Sequence, residues 1–361
     1  MKIVQVITAL NLGGAQTLLE NLAYGLAEEG HDVSVISLES DHTATAKRLE
    51  TKGIPVIYLG KRPHYDPRIT GKLARTLKQL KPDIVHAHNI RKLYVLGAAR
   101  KAGCRNLVYT VHNMAGKEQG FVGGLFSWFV FRAGLMVPVG LSPIVTESIE
   151  ERYHLRYVPT IYNGTDLSCF HKKTDYRLHG HPTILNVARL DPMKNHKRLF
   201  EAFGMVIREF PEAELVLVGE GSLTEELKTI ARTSGIADKV HFEGLRDNIP
   251  DYLDRADIFC LSSDYEGLPM TLIEAMASAL PILSTEVGGI PDMLKDEKTA
   301  LLTAPDASAL AEAMIRLLSD ERLRRRLGEG ALHASERFSH RHMAGRYLKL
   351  YQSVLNTRKK G

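Results

Sequence analysis

At 361 residues the chain is longer than a single small core needs and suits two domains of ordinary size. Hydrophobic residues at 44% and charged residues at 25% exclude a disordered or fibrous chain, and three scattered cysteines, Cys104, Cys169 and Cys260, exclude a disulfide framework and a CxxC zinc site. The net charge of +5 is uneven: residues 1–165 hold 20 Lys and Arg against 13 Asp and Glu, a balance of +7, whereas 166–361 hold 27 against 29, a balance of −2.

The chain opens with MKIVQVITAL, which enters an apolar strand at once and lacks a secretory cleavage pattern, so a cytoplasmic protein is expected. A Gly-containing loop, a helical pattern over Gln16–Glu29 and the strand DVSVISL complete a βαβ unit. PVIYL, DIVHAH, NLVYTVH and LMVPVGLS follow as strands with helical stretches between them, which predicts a parallel, doubly wound sheet over residues 1–170. The polar stretch 171–182 has no apolar period and predicts a linker. From 183 to 340 the alternation resumes: TILNVARL, a helix over Arg198–Phe210, ELVLVGEG, a helix over Leu223–Ser234, KVHFEG, DIFCLSS, a helix over Met270–Ala279, and PILSTEV. Past Asp306 the pattern is helical, ending in a helix over about 341–361 that can pack on either domain. The expected fold class is therefore α/β, two Rossmann-like doubly wound parallel-sheet domains.

Two features of the first half point to a surface partner. Residues 61–117 carry 13 basic residues and two acidic ones, Asp66 and Asp83, a basic face that either serves solubility alone or attracts an anionic membrane surface or a phosphorylated acceptor; no nucleic-acid partner is expected. The adjoining segment 121–141 has one charge, Arg132, in 21 residues, but Pro138 and glycines at 123, 124, 134 and 140 interrupt it, so a helix followed by a strand is expected rather than a membrane span. Its helical part carries Phe121, Phe126, Trp128, Phe129 and Phe131, which either pack in the core or dip into a membrane interface.

The residues that can carry chemistry cluster at strand ends. In SSDYEGLPMTLIEAMASALPILSTEVGG, Glu266 and Gly267 occupy the turn after strand DIFCLSS, where open α/β sheets bind ligands. Pro269 begins a helix whose first amides, at Met270, Thr271 and Leu272, favour an anion such as a diphosphate. Glu274, a turn further in, can accept hydrogen bonds from ribose hydroxyls, although a helix start with nearby acids is by itself a capping arrangement. NVARLDPMKNHKRL sets Arg189 and Lys194 after a strand, a planar fork and a point charge able to neutralise a nucleoside diphosphate leaving group. Gly219 and Gly221 permit close backbone approach. In the first half, Gly13 and Gly14 follow strand 1, and His86, His88 and His112 sit at strand ends on one rim, without acidic partners at zinc spacing.

Together these residues resemble glycosyltransferase family 4, a retaining group with the GT-B fold, in which two Rossmann-like domains face a cleft. The similarity runs over nearly the whole chain. It is carried by Glu266-Gly-Leu-Pro-Met-Thr-Leu-Ile-Glu274, similar to the family's E-x7-E signature, with GGA at 13–15, YNGTD at 162–166, EVGG at 286–289, and Arg189 with Lys194. The resemblance implies Arg189 and Lys194 on the donor diphosphate, Glu274 on ribose, amides near Thr271 and Leu272 on phosphate, and Glu266 with Gly267 toward the donor sugar. It implies Gly14 at the phosphate from the first domain, His112 at the sugar, and Leu245 and Arg246 at the base. It further implies catalysis without a metal or other cofactor, the nucleotide-sugar being substrate, and a front-face retaining route. A glycan acceptor, lipid-linked and met at the inner face of the cell membrane, is the expected partner, with a soluble small-molecule acceptor as the alternative. A nicotinamide-dependent dehydrogenase is disfavoured, because NLGGAQ is not GxGxxG and Glu39 is the nearest acid to the second strand's end. A non-catalytic nucleotide-sugar sensor is disfavoured by the presence of both glutamates, the Arg and the Lys.

Overall fold

The computed structural model describes residues 1–11, 14–40, 43–112, 114–115 and 121–359, the side chains of 121, 122, 358 and 359 excepted. They form two compact units, one of residues 1–166 with 338–361, the other of 167–337.

In the first unit β1 (Lys2–Ile7), α1 (Gly14–Glu28), β2 (Asp32–Ser37), α2 (Ala44–Thr51), β3 (Val56–Tyr58), α3 (Arg68–Leu80), β4 (Ile84–His88), α4 (Lys92–Ala102), β5 (Leu107–Val111), α5 (Phe121–Arg132), β6 (Val137–Gly140) and α6 (Pro143–Tyr153) alternate. The sheet order is β3-β2-β1-β4-β5-β6, every pairing parallel. Its strands are apolar on both faces, as a sheet covered by helices on each side requires. Val4, Val6, Val85 and Tyr109 pack with Leu73, Leu77 and Tyr94 on one face. Ile3, Ile7, Val35 and Val108 pack with Leu19, Leu22, Tyr347 and Tyr351 on the other. Those two tyrosines belong to the last helix, here α14 (His340–Lys359), which covers the first unit beside α1. Gly25 of α1 makes this possible, since a Cβ there would meet the His340 carbonyl at 2.6 Å and the Ala344 Cβ at 2.8 Å.

The second unit repeats the plan with β7 (Thr183–Val187), α7 (His196–Val206), β8 (Glu214–Val218), α8 (Thr224–Thr233), β9 (Val240–Gly244), α9 (Ile249–Arg255), β10 (Ile258–Leu261), α10 (Met270–Ala277), β11 (Ile282–Thr285), α11 (Ile290–Met293), β12 (Leu301–Thr303), α12 (Ala307–Ser319) and α13 (Glu321–Ser335). Its order, β12-β11-β10-β7-β8-β9, is the same winding. Caps match the local chemistry: Asn195 accepts from the Arg198 amide at the start of α7, and Asp306 from Ser308 and Ala309 at the start of α12. Strand β12 has no counterpart among the sequence-predicted strands, because three residues are too few to show a period.

The stretch 171–182, expected as a linker, packs on the second unit. Tyr176 is buried, its hydroxyl donates to the Ala279 carbonyl at 2.9 Å, and Arg324 Nη2 and Nε donate to its carbonyl at 2.7 and 2.9 Å. One aromatic with two hydrogen-bonded ends anchors an otherwise polar segment, which no apolar period could reveal. Nearby, among the described residues, no helix is long and apolar enough to cross a membrane. The aromatic segment forms α5, with Val130 and Phe131 in the core and Leu125, Trp128 and Phe129 exposed at 61, 37 and 54%. The core reading therefore holds for the face that carries Phe131, while Leu125, Trp128 and Phe129 line a face open to solvent.

Candidate active site

In the second unit the loop after β7 and the loop after β10 are joined by hydrogen bonds. Asn195 has a positive φ of 45°, and its amide donates to both Asp264 oxygens at 3.1 Å. Arg198 donates to Asp264 at 2.7 Å and to the Ser262 carbonyl at 2.9 Å, and the Ser262 hydroxyl donates to the Lys194 carbonyl at 3.0 Å. This frame brings Lys194 onto Glu266: Nζ donates to Oε1 and to Oε2, 2.8 Å each. The Ser263 hydroxyl donates to Oε1 as well, at 2.5 Å. Glu266 is 4% exposed, so this is a nearly dry ion pair in which two donor groups make three hydrogen bonds to one carboxylate.

The EVGG motif shapes the same turn. Gly288 has φ +54°, and a Cβ on it would lie 2.0 Å from the Glu266 carbonyl oxygen; one on Gly289 would lie 2.0 Å from the Gly267 carbonyl oxygen. The Gly289 amide donates to the Glu266 carbonyl at 2.8 Å. Only residues without Cβ let the β11 loop lie against the Glu266–Gly267 peptide. Gly219 and Gly221 act likewise, with a difference from the sequence expectation: what comes close is the chain's own backbone, since added Cβ atoms would lie 2.0 Å from the Ala188 carbonyl oxygen and 2.3 Å from that of Leu190. They hold the loop that carries Arg189.

Arg189 itself is exposed and pairs with Asp191 at 2.9 Å. Thr271 and Leu272 lie in the first turn of α10, whose N-cap position, Pro269, offers no side-chain cap. The Leu272 amide, expected to be available to phosphate, instead donates to the Pro269 carbonyl at 3.2 Å, the first turn closing on itself. Glu274 follows one turn on; its Oε2 is buried with no hydrogen-bond partner among the described residues, and burial pushes its carboxyl up to about 7. Leu245 is exposed just past β9, and Arg246 pairs with Glu243 at 3.2 Å, which also accepts from the Tyr252 hydroxyl at 2.7 Å. A groove of about 450 Å³ at the amino-terminal edge of the sheet is lined by His171, Lys173, Asp175, Arg177, Asp254 and Asp257. Those charges satisfy one another in ion pairs, and none belongs to the cluster above.

In the first unit Gly14 begins α1, and none of the described residues lies within 4 Å of where its Cβ would be; Gly13 lies outside the described residues. The three histidines divide. His86 is a core residue, its Nδ1 bonded to the Tyr351 hydroxyl at 2.7 Å and its Nε2 to the Thr110 hydroxyl at 2.8 Å. His88 is buried, with both ring nitrogens unpartnered among the described residues, and its ring centre lies 4.1 Å from that of His86 and 5.6 Å from that of His112, tilted to both. His112, immediately after β5, is half-buried. Burial lowers His86 to about 3 and His112 to about 4 and holds His88 well below the usual range, so all three are neutral at pH 7. Among the described residues no group of three His, Cys, Asp or Glu is placed to hold a metal ion. In the YNGTD motif Gly164 has a packing role: a Cβ there would meet the Ser339 carbonyl at 2.5 Å, where the chain returns to the first unit.

Sequence reasoning named both ends of the Lys194–Glu266 pair without pairing them, and it missed Ser263, Asp264 and Asp191. A serine three residues before a carboxylate in a turn is the available signal for Ser263.

Two doubly wound units of this kind, with cations and carboxylates gathered at the carboxyl ends of the second sheet's strands, define the GT-B class. The solved structure of HepE from Anabaena in complex with UDP superposes with a TM-score of 0.80 at 20% identity, over 98% of this chain and 100% of that one. Residues 12–168 match the model of glycosyltransferase family 4, and residues 171–333 that of glycosyl transferases group 1. The N-acetyl-alpha-D-glucosaminyl L-malate synthase of Bacillus anthracis is 26% identical over 97% of each chain. A UDP-Gal:alpha-D-GlcNAc-diphosphoundecaprenol alpha-1,3-galactosyltransferase of Escherichia coli is 30% identical over 69% of this chain and 70% of its own. The chain belongs to this family of glycosyltransferases and is a glycosyltransferase.

Proposed function

We propose that the protein transfers a sugar from a nucleotide-sugar, a UDP-sugar first of all, to a hydroxyl of a lipid-linked saccharide at the inner face of the cell membrane, with retention at the anomeric carbon. The observation that carries the donor side is the Lys194–Glu266–Ser263 cluster beside the uncapped start of α10. In this reading Lys194 and Arg189 neutralise the diphosphate as the bond from the anomeric carbon to its oxygen breaks, and the first turn of α10 adds its dipole. Glu274 accepts from ribose hydroxyls, Leu245 and Arg246 border the base, and Gly14 and His112 serve the phosphate and the sugar from the first unit. The acceptor oxygen bonds to the anomeric carbon on the face the diphosphate leaves, and its proton passes to a diphosphate oxygen. Glu266 orients the donor sugar, because a carboxylate that already accepts three hydrogen bonds is a poor nucleophile. No metal ion takes part. The HepE complex with UDP and the UDP-Gal in the Escherichia coli relative's name support a uridine donor.

On the acceptor side, the exposed Leu125, Trp128 and Phe129 of α5 and the basic excess of residues 61–117 suit a membrane interface rich in anionic lipid. The acceptor of the Escherichia coli relative, a sugar on diphosphoundecaprenol, is of the same kind. A small soluble acceptor is the second reading, favoured by the Bacillus anthracis relative, which matches end to end and is named for L-malate.

Thermal shift against UDP-, GDP- and ADP-sugars tests the donor, since a ligand that binds the folded state raises Tm by mass action. Sedimentation with phosphatidylglycerol vesicles at low salt, together with transfer to a polyprenyl-diphosphate saccharide, tests the acceptor; binding to neither, with transfer to a hydroxy acid, would select the second reading. Anomeric proton couplings in the product report retention.

A further inference from the structure

Glu266 raises a question that its partner Lys194 does not answer. If Lys194 turns toward a diphosphate when donor binds, a carboxylate 4% exposed loses two of its hydrogen bonds and its counter-charge at once. A buried carboxylate left without a donor is costly and free to change rotamer. Ser263 is 1% exposed, and its hydroxyl is the remaining donor to Oε1, at 2.5 Å. Its own position is fixed from behind: the buried Thr285 hydroxyl, at the end of β11, donates to the Ser263 carbonyl at 2.7 Å. The Gly289 amide, four residues on, fixes the Glu266 carbonyl at 2.8 Å. The same strand end thus holds the backbone at 263 and 266, while the Ser263 hydroxyl holds the carboxylate.

We propose that Ser263 is a positioning residue for Glu266, which keeps that carboxylate oriented toward the donor sugar when Lys194 releases it for the diphosphate. This rests on the donor-site reading above. The hydroxyl touches neither substrate nor leaving group and acts through Glu266. A rigid side chain braced by a neighbouring strand suits the task, because sites built on such elements hold catalytic groups to the tolerance that transfer requires.

The test is UDP release from whichever of UDP-glucose, UDP-galactose and UDP-N-acetylglucosamine turns over fastest, alongside the rise in Tm with saturating UDP. Ser263→Ala is expected to lower kcat about 10- to 100-fold while KM for the donor stays within about threefold, the pattern of a lost transition-state interaction. The UDP-induced rise in Tm is expected to equal that of wild type. Ser263→Thr keeps the hydroxyl and is expected to recover most of the lost kcat. Wild-type kcat in Ser263→Ala, loss of UDP stabilisation together with kcat, or a threonine variant no better than alanine overturns the proposal. If either variant at 263 fails to fold, Thr285→Val carries the same test: reduced kcat with UDP stabilisation intact supports the proposal, and wild-type kcat overturns it. Lys194→Ala and Glu266→Ala, assayed in parallel, separate the two ideas. Turnover kept in both removes the donor-site reading and this proposal with it; turnover lost in both but kept in Ser263→Ala removes this proposal alone.

Discussion

Glu274 carries a carboxyl that burial raises from 4.5 to about 7, with one oxygen buried and unpartnered among the described residues. Between those values the folded protein holds a proton that the unfolded chain has released. Stability from this group is therefore present below about pH 4.5 and lost as pH rises to about 7. Glu274→Gln is expected to raise the Tm of the free enzyme at pH 8 by about 2–4 °C, with the gap closing at pH 5, while UDP binding weakens about tenfold; a gap independent of pH would contradict the assignment. The Lys194–Glu266 pair is expected to couple strongly. Lys194→Ala alone leaves a buried carboxylate without its counter-charge and is expected to cost about 3–5 kcal/mol. Adding Glu266→Ala should return part of that loss, with a coupling of about 1–3 kcal/mol in a double-mutant cycle. Residue identity made both side chains legible in the sequence, each in a turn after a strand. Their pairing was not legible, because it depends on Asn195 and Arg198 joining two loops about seventy positions apart.

At the scale of elements the sequence was most readable where period and turn chemistry agree, as in the strands of both sheets other than β12 and the helix from Met270. It was least readable where one contact decides, as at Tyr176. The glycines fall between: a sequence shows that a Cβ is missing but not what takes its place. At Gly288 it is the Glu266 peptide, whereas a Cβ added to Gly267 would meet no described residue within 4 Å. Gly288→Ala is expected to displace the Glu266 turn and lower kcat on the order of 10²-fold, with a fall in Tm. Gly267→Ala is expected to change stability by less than about 1 kcal/mol, measured by the same melts. Equal effects of the two substitutions would show that the contact beneath Gly288 does not shape the site.

At the scale of the whole molecule, the two windings were expected from alternation alone, but the return of α14 to the first unit was left open by sequence. It is decided by buried tyrosines, Tyr347 bonded to Thr110 at 2.8 Å and Tyr351 to His86 at 2.7 Å, on a helix whose exposed positions mask its apolar face. The second unit, residues 167–337, contains its own sheet and core, so expressed alone it is expected to melt cooperatively. Residues 1–166 alone lack the cover over Leu19 and Leu22 and are expected to aggregate or bind a hydrophobic dye. A cooperative melt from that fragment would contradict this. Tyr351→Phe, which leaves His86 Nδ1 without its partner, is expected to cost about 1–3 kcal/mol in the full chain.

Where the chain re-enters the first unit, the Thr165 amide donates to the Phe338 carbonyl and the His340 amide to the Thr165 carbonyl, each at 2.9 Å. The second unit is thus an insertion in the first, and this orders events on the ribosome. The unit begun first is finished last: its open sheet face must wait through the synthesis of residues 167–337, at about 5–20 residues per second, for the helix that closes it. During those tens of seconds the nascent chain presents an apolar face while the later unit is already able to fold, so chaperone dependence and sensitivity to translational pausing follow from the path of the backbone.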